Sequence, residues 1–140
     1  MTTERRNMSL DVRLVDLIEE IKEDFDLPRV NSIYISSPHD VWNNKQVDYY
    51  SVCIDLENSL YEPGIIRHNF IVYVGNRMYN QEHPFNIWQV SEEIILEGLS
   101  KRDIYEIEDG YITTFQQEFN DVLAGCYMRF SVSIPLNTCD

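Results

Sequence analysis

The sequence predicts an α+β fold, a mainly antiparallel sheet packed against two helices as a two-layer sandwich. Three observations predict it. Two stretches carry apolar residues at steps of three and four, the helical period. Several others are rich in aromatic and β-branched residues and alternate at period two, the strand period. Their order is helix, three strands, helix, two strands, with no internal repeat, low-complexity segment or linker. At 140 residues, 44% hydrophobic and 12% aromatic, the chain can bury a real core. Residues 1–140 are therefore expected to form a single domain.

The first helix is expected from Met8 to Phe25, where Leu10, Val12, Leu14, Val15, Leu17, Ile18, Ile21 and Phe25 recur mostly at helical spacing. Ser9 stands where an N-cap would, Asp11 complements the helix dipole, and Pro28 ends the segment. Asp16, Glu19, Glu20, Glu23 and Asp24 fall largely on the other side, which reads as a solvated face. The polar stretch before it, residues 1–7 with Arg5 and Arg6, reads as a flexible N-terminal arm. Val30 to Ser36 alternates and reads as a short strand. Ser37 to Val47, with Pro38, Asn43 and Asn44, reads as a loop, and Asp48 to Leu56 as a strand.

Asn58 to Gly64 reads as a turn or longer loop around Pro63-Gly64. The strand after it, Ile65 to Val74, ends apolar on both faces, so it either lies centrally or pairs at an interface. Asn86 to Arg102 is the second helix, with Ile87, Val90, Ile94, Ile95 and Leu99 on a stripe broadened by Trp88 and Leu96. Gly98 costs about 1 kcal/mol relative to Ala inside a helix, so its last turn is expected to fray. Ile104 to Gly110 fits neither period. Tyr111 to Phe119 and Cys126 to Ile134 are the last two strands, joined across Asn120 to Gly125 and closed by Pro135.

The charge is lopsided, with 24 acidic against 11 basic residues and a formal net charge of -13. Such a surface does not draw in DNA or anionic lipid, because phosphate binding needs Lys and Arg to replace counterions. No run of about 18 apolar residues is present, so no membrane span is expected. The start of the chain lacks the uncharged core of a secretory signal, and the cytosol is the expected place of synthesis. Cys53, Cys126 and Cys139 form no CxxC pair, which argues against structural zinc or a disulfide framework.

Catalysis has no support in the sequence. His39, His68 and His83 have no second ligand at the spacing that places two on one helix face, so no metal is expected. There is no G-x-S-x-G motif, Ser51-Val52-Cys53 lies mid-strand, and Cys126 reads as a small buried hydrophobe. Glu92-Glu93 and Glu106-Glu108-Asp109 are what so acidic a chain produces by chance. Neither a Walker A loop nor a G-x-G-x-x-G motif is present, so no cofactor is expected. What remains is surface for partners. Trp42 and Tyr61, large aromatics outside the periodic segments, read as core caps or interface anchors. Phe70, Val72 and Val74, on the two-faced strand, join them as candidate interface residues, since an open strand edge can be covered by a neighbouring subunit.

The C-terminal segment TTFQQEFNDVLAGCYMRFSVSIPLNTC resembles the end of a family of small neck or tail proteins from phages of the Bacteroidetes, including crAss-like phages. Phe115, Glu118, Phe119, Asp121, Ala124-Gly125, Phe130, Pro135 and Cys139 carry the likeness. Cys126 stands where the family pattern has Trp. Upstream, FIVYVGNRMYNQEHPFNIWQVSEEIILEGL resembles the family's strand, polar loop and helix, with Tyr73-Val74, Asn76-Arg77 and Asn86 to Leu99 in register. The likeness covers roughly the C-terminal half. It implies a tail-terminator-like fold and a structural virion protein, a head-tail connector without catalytic residues. Subunits would join edge to edge in a homo-oligomeric ring of roughly six or twelve copies. The ring would contact a portal-proximal neck protein and tail proteins, and DNA would pass through its lumen without specific binding. Many acidic copies would line a channel that repels DNA. The acidic first helix motivates an alternative, a small acidic binding module acting on a host or phage protein.

Overall fold

The computed structural model describes residues 10–44, 47–78, 85–114 and 123–136. The elements run α1 (Leu10–Asp24), β1 (Ser32–Tyr34), α2 (Pro38–Asn44), β2 (Ser51–Glu62), β3 (Ile65–Arg77), α3 (Phe85–Leu99), β4 (Tyr105–Thr114) and β5 (Leu123–Pro135). The strands form one mixed sheet in the order β1-β2-β3-β5-β4. β1 runs parallel to β2, and every other pairing is antiparallel. The α+β class holds, and β3 lies at the centre of the sheet, which explains why its end is apolar on both faces. The expected N-terminal arm, the Ser9 cap, His83 and Cys139 lie outside the described residues. So do Phe115, Glu118, Phe119 and Asp121 of the C-terminal likeness.

α1 and α3 cover one face of the sheet. Leu17 and Ile21 from the first, Phe25 just after it, and Ile94, Ile95 and Leu99 from the second pack on Val52, Ile54, Phe70, Val72, Val74, Phe130 and Val132. Phe70 and Phe130, directly opposite in the β3–β5 register, stack at 5.3 Å. Each such fully buried side chain contributes about 1.5–3 kcal/mol relative to exposure. Gly98 is not a fraying point: it is buried in α3, and the Phe25 ring lies where a Cβ would stand. Here the missing side chain makes room for the Phe25 ring, which follows directly on α1.

The opposite face carries a second, smaller cluster of Val41, Trp42, Val47, Cys53 and Leu123, with Tyr34, Tyr49, Tyr73 and Tyr127 packed around it. Its lid is α2, a helix in the stretch expected to be a loop. Its start is readable in retrospect: Ser37 Oγ accepts the Asp40 amide at 3.3 Å, and Pro38 occupies the first helical position, where no amide is missed. The sandwich therefore has two layers over most of the sheet and a third at one end.

The other boundary differences share a cause, tertiary pairing that extends strands past their local signal. β2 continues to Glu62 through a register shift between Leu56 and Asn58, so the expected loop shrinks to Pro63-Gly64. Gly64 takes a φ of 82°, a conformation that side-chain-bearing residues rarely adopt. The ambiguous stretch after Ile104 becomes β4 from Tyr105 onward, with its own shift between Ile107 and Gly110. Leu123, Ala124 and Gly125, expected in a turn, begin β5.

One polar clamp ties helix to sheet. Asp24, at the end of α1 and buried, accepts Arg102 Nε at 2.8 Å and the Tyr105 hydroxyl. Arg102 also reaches Glu20 at 3.0 Å.

Candidate functional site

The described histidines and cysteines each lie beside a hydrogen-bond partner or inside the core. His39 is exposed on α2, its Nδ1 3.1 Å from Asn43 Nδ2. His68 is buried on β3, with Ser59 Oγ 2.6 Å from its Nδ1 across the hairpin. A Ser–His pair is half of a nucleophilic site, but burial depresses the imidazole pKa and the ring is 2% exposed. With so little of His68 open to solvent, the pair is a cross-strand hydrogen bond. Sequence reading missed it, since only the β2–β3 register sets the two residues opposite each other.

Cys53 and Cys126 are buried free thiols. Burial pushes both pKa values up, that of Cys126 to about 11, so neither is a ready nucleophile. Cys126 donates to the Trp88 carbonyl at 3.3 Å. Among the described residues no group of three His, Cys, Asp or Glu side chains could hold a metal ion. Of the carboxylates singled out earlier, Glu93 pairs with Arg29 at 2.8 Å and Asp109 with Arg129 at 3.7 Å, while Glu106 and Glu108 face solvent.

Four of the five candidate interface residues lie inside the subunit. Phe70, Val72 and Val74 point into the helix-covered core, because their register on the central strand aims them there. Trp42 is 2% exposed, held by its indole N–H donating to Ser51 Oγ at 3.0 Å and standing over Gly75. Trp42 is thus a core cap, the first of its two expected roles. Tyr61 alone is on the surface, at 67% exposure near the β2–β3 turn.

What the fold does expose is sheet margin. β1 is only three residues long and reaches no farther than Cys53 on β2. From Ile54 to Glu62, nothing among the described residues pairs with the outer edge of β2. β4 is the last strand on the other side, so no described residue pairs with its outer edge either. Each margin pairs apolar groups with charge: Leu60 and Tyr61 beside Glu57 and Glu62 on β2, Ile107 beside Glu106, Glu108 and Asp109 on β4. Between them, on the face away from α1 and α3, Arg129 lies 3.6 Å from Glu57 and 3.7 Å from Asp109. Asp55 sits in the same field, its carboxyl raised by burial and then by Asp40 and Glu57.

No protein-family model matches this sequence, and no curated protein is significantly similar to it. No described helix is long and apolar enough to cross a membrane.

Proposed function

We propose that this chain is a structural subunit of a phage neck or tail ring, a head-tail connector of tail-terminator type through which DNA passes. The observation that carries the reading is the pair of open margins, one on each side of a single sheet. β2 and β4 run in opposite directions, so the β4 edge of one copy can extend the sheet beside the β2 edge of the next as an antiparallel pair. Such a contact is heterologous, and it closes a ring when the rotation from copy to copy divides a full turn. Leu60, Tyr61 and Ile107 supply apolar contact at the joints. The likeness of the C-terminal half to neck and tail proteins gives the ring its proposed place, between a portal-proximal protein and the tail. The acidity suits a lumen that lets DNA slide.

Negative-stain images and sedimentation of the purified chain test this. Closed rings of roughly six or twelve copies are expected; a monomer at every concentration and salt would overturn it. The alternative of a small acidic binding module finds its own support in the acid-walled groove beside α1.

A further inference from the structure

A groove of about 400 Å³ runs between α1 and β1. One wall is the exposed side of the helix and the segment after it, where Glu19, Glu23 and Asp26 outnumber Lys22. The floor is Val30 and Ile33, both half-buried apolar residues left partly uncovered. The volume lies at the small end of the roughly 300–1,000 Å³ of ligand clefts, enough for a short extended segment.

The backbone along the groove is itself a binding surface. Asn31 N–H donates to the Tyr50 carbonyl at 2.9 Å, so Asn31 faces β2. Strand backbone alternates, which turns the amide and carbonyl of Ser32 the other way, along the outer edge of β1. Ser32 lines the groove, and no described strand pairs with that edge. An open edge, an apolar floor and a helix wall together are the arrangement in which an extended peptide adds a strand and sets alternate side chains into pockets.

We propose that this groove takes an extended basic segment of a partner protein as a strand added to β1. Alternate apolar side chains of that segment would meet Val30 and Ile33, and its Lys or Arg side chains would meet Glu19, Glu23 and Asp26. Charge selects the occupant. The chain's own open β4 margin carries Glu106, Glu108 and Asp109, so these walls repel it. The inference does not depend on ring formation, because it uses the β1 edge and not the β2 or β4 margins.

The test is an anisotropy titration of the full chain with a labelled peptide of alternating Arg and Val. Binding is expected, weakening as salt rises from about 0.05 to about 0.5 M. The exposed double variant Glu19→Lys/Glu23→Lys, checked for an unchanged circular dichroism spectrum, should lose about tenfold or more in affinity. The same peptide N-methylated at alternate amides keeps its charge but cannot donate to a strand edge, and should also lose about tenfold. No binding, equal binding of a Glu-Val peptide, or no effect of N-methylation would overturn the proposal. A peptide of residues 1–9, which contains Arg5 and Arg6, binding more tightly than the alternating peptide would assign the groove to a second copy of this chain and overturn the partner reading.

Discussion

Gly98 occupies a helix interior, where replacement by Ala gains about 1 kcal/mol of intrinsic helix propensity. In this fold the sign reverses, because the added methyl would run into the Phe25 ring. Overpacking of a filled core costs about 1–3 kcal/mol, so Gly98→Ala is expected to lower the urea midpoint with the transition slope unchanged. His68 supplies a second residue-scale prediction. Its folded pKa lies below the ordinary value of 6.5 because burial disfavours the cation. The unfolded chain therefore takes up a proton that the folded chain resists, and stability falls as pH drops below about 6.5. Melting temperatures measured from about pH 7 to about pH 5 should decline more steeply for the wild type than for His68→Gln. Asp55 acts with the opposite sign and at lower pH: its raised carboxyl pKa means that the folded state binds its proton first. These environments were not legible in the sequence. A periodic pattern shows that Gly98 falls on α3 and His68 on β3, but not which ring or hydroxyl lies opposite.

At the scale of elements, α1 is fixed to the sheet at its C-terminal end by the clamp on Asp24. Tyr105 donates to that carboxylate from the start of β4, and burial followed by the carboxylate itself raises its phenol pKa. Tyr105→Phe keeps the ring packed edge-on against Phe130 and removes only the hydroxyl. It should cost about 1–2 kcal/mol in chemical denaturation, the price of one hydrogen bond to a charged group. Element identity was mostly readable: α1, α3, β1, β2, β3 and β5 follow from period and from aromatic and β-branched content. The failures are instructive. α2 went unread because its seven residues are too short for a periodic signal, although Ser37-Pro38 with Asp40 is a helix start. β2 overran its pattern because Asn58, Ser59, Leu60 and Tyr61 pair with β3 whatever their own propensity. Trp42 reads as a core cap ahead of an anchor; what decides it is the second cluster beneath α2, which no local pattern contains.

For the molecule as a whole, the question is how a subunit with acidic margins can join its neighbours. Edge strands commonly carry charge that discourages pairing, and Glu57 and Glu62 would approach Glu106, Glu108 and Asp109 across each joint. Screening weakens that repulsion while leaving apolar contact intact, so ring assembly should be favoured by added salt over about 0.1–0.5 M. The double variant Leu60→Glu/Ile107→Glu removes one exposed apolar side chain from each margin and adds to the acid already there. It should sediment as a monomer under conditions where the wild type assembles, with an unchanged far-ultraviolet spectrum. The open margins that carry this reading were visible in the sequence only as strands needing cover. Which strands they are came from the sheet order, with β1 too short to shield β2 and β4 placed last. The most direct test of the ring reading is quantitative mass spectrometry of purified virions, with copy number measured against the portal protein. A fixed stoichiometry of roughly six or twelve chains per particle is expected. Absence from virions, when the chain is made in the infected cell, would contradict it.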